Sequence, residues 1–264
     1  NISHEIRTPL NIVLGMSDLL QETPLSSIQK HYINSINTSG RHLLHLINDI
    51  LDMTRVDMSD VLFKQEEVHF LQIVEDSCLA VNEIAQNKNL DFYMSYDVSI
   101  PDTIKVDPSR IRQVLINLLS NAVKYTEQGF VYLSTEFTHQ YSDEIAHAVI
   151  FHIRDSGLGI SETDQEEIFK AFYQVNSTIK RSQGGVGLGL SIVSSIVKRM
   201  GGLIQVESSL GIGSTFTVVI PVTEFSPAPW VQVFNNTTPK DSEEVLITND
   251  IILSEIFIKN IQAV

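Results

Sequence analysis

The sequence contains a single cysteine, few basic residues and no long apolar run. Cys78 is the only cysteine among 264 residues, which excludes an internal disulfide and a thiolate metal cluster and favours a reducing compartment. No apolar run approaches the ~20 residues that a membrane-spanning helix needs, and no signal peptide is visible. The 18 basic residues are outnumbered by 32 acidic ones, so the net charge of −14 disfavours nucleic acid and anionic membranes as partners.

What is present indicates a soluble piece of a larger protein. The chain begins with Asn1 rather than Met, within a segment predicted to be helical. We therefore expect a fragment that lies in the cytoplasm, and whether the parent protein is anchored in a membrane is left open. A length of 264 residues and a hydrophobic share of 43% suit roughly two domains with ordinary cores.

Apolar periodicity divides the chain into four parts. Residues 1–60 are predicted to form a helical hairpin, whose apolar stripe widens beyond Gly40 further than two helices can bury. We therefore expect a homodimer in which two hairpins form a four-helix bundle. Residues 61–222 mix strands with helices, which predicts an α/β sandwich with helices on one face of a mixed sheet. Residues 223–244 are predicted to be a linker, and residues 245–264 the start of a truncated third domain.

The first chemical motif is Ser-His-Glu-Ile-Arg-Thr-Pro, at residues 3–9. On a helix His4 lies on the polar face with Thr8, and Pro9 should bend the helix within a turn of it. A histidine with its ordinary pKa near ~6.5 is mostly neutral at cellular pH, as attack on phosphorus requires. Glu5 is placed to hold the far ring N–H. The alternative is a surface histidine without chemistry.

The second motif lies on a helix predicted from Ser109 to Lys124, with Pro108 at its start. Asn117, Asn121 and Lys124 follow at i, i+4 and i+7, on one face of a helix otherwise rich in Val, Leu and Ile. Unpartnered amides would be costly in a core, so this pattern favours a ligand face over packing. Amide oxygens suit Mg²⁺, and Lys124 would neutralise phosphate charge.

Two glycine motifs follow. Asp155-Ser-Gly-Leu-Gly comes directly after a predicted strand, where glycine allows close backbone approach and the carboxylate can accept from an exocyclic amine. Taken alone, it could equally be a turn. The run from Gly184 to Leu190 opens a helix, whose N-terminus can cradle phosphates. It is neither a Walker loop nor a Rossmann turn.

A further polar cluster is assigned no chemistry. His42, His45, Asp49 and Asp52 recur on one helical face at metal-like spacing. Nothing in the sequence closes a coordination sphere around them, so we attribute the pattern to the polar face of a bundle helix.

Taken together and in order, the motifs resemble those of sensor histidine kinases of two-component systems over residues 1–222. The resemblance implies a dimerisation and phosphotransfer hairpin followed by a GHKL-type ATP-binding domain. It implies that ATP phosphorylates His4 with Glu5 as orienting base, that Glu5 and Thr8 assist the reverse phosphatase reaction, and that a response-regulator receiver domain takes the phosphoryl group. ATP and Mg²⁺ are the implied cofactors, with the metal at Asn121. The implied ATP-binding residues are Asn117, Asn121, Lys124, Tyr125, Asp155, Gly157, Gly159, Gly185, Gly187, Leu188, Gly189 and Thr215.

Some features depart from this family or leave alternatives. Val186 stands where the family usually has a small hydroxyl residue, and Phe169–Phe172 with residues 176–183 resemble its hinge aromatics and lid. Residues 245–264 resemble the start of a receiver domain, as in a hybrid kinase, although Asn249-Asp250 replaces the usual acidic pair; a nonspecific tail is the alternative.

Two other functions remain open. A clamp-type ATPase, as in type II topoisomerases and heat-shock chaperones, has a glutamate at the position of Asn117, and an amide cannot act as a general base. A dimerisation module that binds nucleotide without transferring phosphate is the second alternative.

Overall fold

The computed structural model describes residues 2–57, 63–97, 99–142, 145–175 and 187–226. Of these, residues 2–7, 41–42, 45–46 and 48–57 are described as helical backbone only. The receiver-like residues 245–264 and most of the predicted linker therefore lie outside the described residues. In the described ranges, no helix is both long enough and apolar enough to cross a bilayer.

The N-terminal part is the predicted helical hairpin. Helix α1 is Ile2–Gln21 and helix α2 is Ser27–Asp57. Leu14 of α1 packs against Gly40 of α2 so closely that a Cβ on Gly40 would lie 2.6 Å from Leu14 Cδ2. Asn37 Nδ2 donates to Asp18 Oδ1 at 2.8 Å across the same seam. The hairpin therefore has a tight but narrow interface.

Much of the apolar surface of the hairpin is not used by this interface. Val13 and Met16 belong to the predicted apolar stripe, yet they are 51% and 61% exposed because they point away from α2. The stripe is thus divided between an inner surface around Leu14 and an outer surface. The large apolar side chains of this outer surface are Ile12, Val13, Met16, Leu19, Leu20, Ile28, Tyr32, Ile36 and Leu43.

The second part is an α/β sandwich, as predicted. Its five-stranded sheet has the order β2-β4-β5-β7-β6, with β2 parallel to β4 and the other neighbours antiparallel. Three helices pack on this sheet around one core. The strands are β2 (Asp91–Tyr96), β4 (Phe130–Thr138), β5 (Ala148–Asp155), β6 (Leu203–Ser209) and β7 (Gly213–Pro221), and the helices are α3 (Phe70–Asn87), α4 (Pro108–Tyr125) and α6 (Gly189–Arg199).

A second, smaller sheet holds the chain where it enters and leaves this domain. Strand β1 (Glu66–His69), which the sequence did not predict, pairs antiparallel with β3 (Thr103–Val106). On the other edge of β3, the Lys105 N–H donates to the Glu224 carbonyl and the Ser226 N–H to the Thr103 carbonyl, both at 2.9 Å. Backbone pairing with β3 thus continues to Ser226, while the boundary at residue 222 stays a prediction. Between β5 and α6 lie the short helix α5 (Glu162–Gln165) and the 3-10 turn Glu167–Phe169.

Candidate active site

The start of helix α4 is fixed by its own sequence. Asp107 is the N-cap residue, and its Oδ1 accepts from the backbone N–H groups of Ser109 and Arg110 at 3.0 and 3.2 Å. Pro108 occupies the first helical position, where its missing N–H costs nothing. The orientation of α4 on the sheet is therefore set before its functional face begins.

Helix α4 presents a polar face opposite its buried one. Asn117, Asn121 and Lys124 are only half-buried, and neither asparagine amide bonds to another described residue. Both amides are thus available to a ligand, and their role in binding one stays a prediction. The Lys124 ammonium lies 5.0 Å from the centre of the Tyr125 ring. The buried face consists of Ile111, Val114, Leu115, Leu118, Leu119, Ala122 and Val123.

Asp155, the last residue of β5, is the buried carboxylate of the site. It is 6% exposed, and its Oδ1 accepts the Gly157 N–H at 2.8 Å. Burial raises the pKa of Asp155, while hydrogen bonds from the backbone of Gly157 and Ser214 act in the opposite direction. A carboxylate held in this way at a strand end suits recognition of an amine.

The glycines after Asp155 bring its loop against the end of α4. A Cβ on Gly157 would lie 2.6 Å from the Tyr125 carbonyl oxygen, so only glycine fits there. The Leu158 N–H donates to that same carbonyl at 3.3 Å. Gly159 has φ +68°, and a Cβ on it would lie 2.0 Å from the Ser209 carbonyl oxygen. The motif is therefore a tight loop between α4 and β6.

Strand β7 contributes Ser214 to this loop rather than Thr215. Ser214 is the register partner of Asp155, whereas Thr215 is the partner of Arg154. Opposed residues share a sheet face and successive residues alternate, so Thr215 lies on the face away from Asp155. Ser214 is 6% exposed, and its Oγ lies 3.0 Å from Ser208 Oγ. Thr215 was implied by the family resemblance and stays a prediction; the alternation of β7, with Phe216 on the core face, places Ser214 with Asp155.

The glycine-rich run meets the asparagine face. A Cβ on Gly189, the first residue of α6, would lie 3.7 Å from Asn117 Oδ1. The N-terminal turn of α6, with its unpaired N–H groups, thus lies beside the polar face of α4. Leu188 is 1% exposed and anchors this turn, and the Phe172 N–H donates to the Gly187 carbonyl at 2.9 Å. The predictions for Gly185, Val186 and residues 176–183 lie outside the described residues.

The predicted phosphoacceptor lies near the start of α1. Helix α1 includes His4, Glu5 and Thr8 and continues through Pro9. Thr8 is exposed, while the side chains of His4 and Glu5 lie outside the described residues, as do those of His42, His45, Asp49 and Asp52. The roles of His4, Glu5 and Thr8 therefore stay predictions.

A helical hairpin joined to a sandwich with a carboxylate, amides and a helix N-terminus around one site defines a nucleotide-binding protein of the GHKL class. Two families match the chain, one over the helical hairpin and one over most of the sandwich. The family described as "His Kinase A (phospho-acceptor) domain" matches residues 1–59. The family described as "Histidine kinase-, DNA gyrase B-, and HSP90-like ATPase" matches residues 106–224.

Individual proteins agree with these matches. "Hybrid signal transduction histidine kinase B" of Dictyostelium discoideum is 38% identical over 221 residues, which are 83% of this chain and 11% of that protein. Full-length ShkA in complex with AMPPNP is 34% identical with a TM-score of 0.72, over 86% of this chain and 46% of that one. Histidine kinase ThkA in complex with the response regulator TrrA is 26% identical with a TM-score of 0.56, over 84% of this chain and 60% of that one.

The chain belongs to the histidine kinases. This membership confirms the fold class predicted from the sequence. The chain spans between 11% and 29% of the length of the first curated relatives that it matches.

Proposed function

We propose that ATP phosphorylates His4 of this chain and that the phosphoryl group then passes to an aspartate of a receiver domain. The observation that carries the proposal is the buried carboxylate of Asp155, whose loop packs against the end of the helix that bears the open amides. The match of residues 1–59 to a phospho-acceptor domain supports His4 as the residue that receives the phosphoryl group.

The described residues fit ATP. The Asp155 carboxylate can accept from the adenine amino group, and the missing side chain of Gly157 lets its loop lie close against Asp155 and the end of α4. The phosphates would then lie by Asn117, Lys124 and the N-terminal turn of α6, where N–H groups and a cation balance their charge. Ser214, as the partner of Asp155 on β7, would help to fix the carboxylate.

The same face fits a magnesium ion. Asn121 and Asn117 lie one helical turn apart and both offer unpaired amide oxygens, a ligand type that Mg²⁺ accepts alongside phosphate oxygens. When bound, the ion would neutralise charge on the transferred phosphoryl group.

The chemical step assigned to the hairpin is an in-line displacement. A neutral ring nitrogen of His4 attacks the γ-phosphorus, its bond to the bridging oxygen breaks, and ADP leaves. Glu5 holds the other ring N–H and stabilises the charge that develops on the imidazole. A receiver aspartate then attacks the same phosphorus and His4 is restored as the leaving group. Glu5 and Thr8 would assist water in the reverse, dephosphorylating reaction.

Two partners follow from the proposal. The exposed outer surface of the hairpin supports a homodimer, because apolar side chains such as Met16 and Tyr32 gain stability when a second copy covers them. The complex of ThkA with its response regulator supports a receiver domain as the second partner.

The test is a labelling experiment with ATP that carries a radioactive γ-phosphate. We expect an acid-labile, base-stable label on the native chain, and none on a His4→Gln variant that still binds nucleotide. An Asp155→Asn variant should lose label through loss of nucleotide binding instead. A label that persists in His4→Gln would contradict the assignment. Rapid phosphate release independent of His4 would favour the clamp-type ATPase, and nucleotide binding without any label would favour the inactive module.

A further inference from the structure

One lysine outside the predicted motifs caps the end of the asparagine helix. Lys88 follows α3 directly, and its Nζ donates to the carbonyl oxygens of Val123 at 2.7 Å, Lys124 at 2.9 Å and Thr126 at 3.2 Å. These contacts are partly buried, and an ammonium group has only three N–H donors. The Lys88 ammonium group is therefore engaged at the C-terminal end of α4.

This end of α4 is the part of the helix that needs such a partner. The last carbonyls of a helix have no intrahelical donor, and the negative end of the helix dipole favours a cation. The Ala122 carbonyl accepts from both the N–H and the hydroxyl of Thr126. Lys88 takes the next two carbonyls, so the backbone from Val123 onward is held by a residue at the end of another helix.

The carbonyl that Lys88 leaves unoccupied is the one that reaches the nucleotide site. Tyr125 lies between the capped residues, and its carbonyl accepts the Leu158 N–H at 3.3 Å. The same oxygen lies only 2.6 Å from the position that a Cβ on Gly157 would take. The position of the Tyr125 carbonyl thus determines where the loop after Asp155 can lie.

We infer that Lys88 is a positioning residue for nucleotide binding, which acts through the end of α4 on the loop that follows Asp155. By fixing the carbonyls on both sides of Tyr125, the Lys88 ammonium holds the Tyr125 carbonyl against Gly157 and Leu158. It also fixes the last turn, from which the Lys124 side chain extends. The inference rests on the proposed function only in taking this site to bind ATP.

The experiment measures binding of AMPPNP to the full chain by calorimetric titration, so that no phosphoryl transfer is required. In Lys88→Met, which keeps the apolar stem and removes the three donors, we expect about a tenfold weaker affinity, since hydrogen bonds from a charged group are lost. Lys88→Arg should recover most of this loss because it restores a cation with several donors. Lys198→Met is the matched control, because Lys198 is an exposed lysine in the last turn of α6, and it should bind as the native chain does.

A second readout separates positioning from general stabilisation. Amide hydrogen exchange at Leu158 should become faster in Lys88→Met relative to exchange in the central strand β5. Native affinity and native exchange at Leu158, together with a lower melting temperature, would show Lys88 to be a structural cap only. If Lys88→Met does not fold, Lys88→Gln, which keeps one amide donor, carries the same comparison. Failure of the native chain to bind AMPPNP would instead contradict the proposed function.

Discussion

The two parts of the molecule stabilise themselves in opposite ways. The ATP-binding domain buries apolar side chains from three helices and five strands in one continuous core. In the described part of the hairpin, the buried apolar side chains are Leu14, Ile33 and Ile47. Among the side chains that the structure describes, the hairpin exposes more large apolar ones than it buries, whereas the ATP-binding domain does the reverse.

This difference separates two kinds of stability. The two long helices of the hairpin carry enough apolar surface for a bundle but pack mainly against each other, although α2 also contacts α6. Their remaining stability must therefore come from a second copy. The sandwich closes its own core. Nucleotide binding should therefore be a property of one domain, while the platform that carries His4 should depend on protein concentration.

The largest effect is expected from a substitution that weakens the dimer of the hairpin. Met16→Lys places a charge on the outer surface of both copies, each of which loses roughly 1.5–3 kcal/mol of burial. We expect a dimer dissociation constant raised about 100-fold or more, measured by sedimentation equilibrium, with AMPPNP affinity unchanged. Leu210→Lys is the control, since Leu210 is 67% exposed but lies on the β6–β7 turn. Equal dissociation by both variants would contradict the assigned interface.

A cavity in the core of the sandwich should lower the unfolding free energy by an amount that does not depend on protein concentration. Leu133→Ala removes a fully buried side chain of β4 and should cost about 2–5 kcal/mol of unfolding free energy. Because this core is closed within one chain, the loss should be independent of protein concentration. Ile33→Ala, in the hairpin, should instead give a denaturation midpoint that rises with protein concentration. Chemical denaturation at several concentrations measures both, and Leu203→Ala, at a half-exposed position, is the neutral control.

Removing the charge of Asp155 should weaken nucleotide binding without affecting the dimer of the helical hairpin. Asp155→Asn replaces a carboxylate that accepts from Gly157 and Ser214 with a poorer acceptor, so nucleotide affinity should fall roughly 10- to 100-fold. Asp91→Asn makes the same substitution at an exposed position of β2 and should bind normally. Titration with AMPPNP measures the first effect, and sedimentation of Asp155→Asn should give the native dimer. An unchanged affinity would exclude Asp155 from the adenine site.

The smallest expected effect is a pH dependence of the unfolding free energy that is caused by the Asp155 carboxyl group. Burial raises the pKa of Asp155, so the folded domain binds its proton more tightly than the unfolded chain does. Its contribution to the unfolding free energy is therefore most favourable at low pH and is lost as pH rises from the ordinary aspartate range through the raised pKa. A difference of one pH unit between the folded and unfolded pKa corresponds to about 1.4 kcal/mol of unfolding free energy.

Nucleotide affinity should change in the opposite direction. Acid protonates the acceptor, so AMPPNP binding should weaken as pH falls, beginning above the range of an ordinary aspartate. Asp155→Asn should lack both trends, and a native stability profile identical to that of Asp155→Asn would contradict the raised pKa.

Long, periodic elements were predictable from the sequence because burial leaves a repeating signal. Both hairpin helices, helix α4 with its proline start, and the five strands of the main sheet follow the apolar pattern closely. Strand β1 was missed because its four residues bury little, and its stability comes from pairing with β3. The pairing of Ser226 with Thr103 was equally invisible, since backbone hydrogen bonds between residues so far apart leave no local pattern.

The candidate site was predictable in its residues more than in its arrangement. Asn117, Asn121 and Asp155 stood out because polar side chains among apolar ones have no structural reason to be there. Thr215 was named from its motif without regard to the alternation of the strand, which places Ser214 with Asp155. Lys88 gave no signal at all, since it lies 35 residues from Val123 in sequence and only the fold brings the two together.

The most direct test of the central claim locates the phosphoryl group itself. The native chain is incubated with ATP and Mg²⁺, digested at alkaline pH to preserve phosphohistidine, and its peptides are sequenced by mass spectrometry. The chain has eight histidines, and the account predicts phosphate on His4 alone. Phosphate on any other histidine, or release of free phosphate without a phosphorylated His4 peptide, would contradict it.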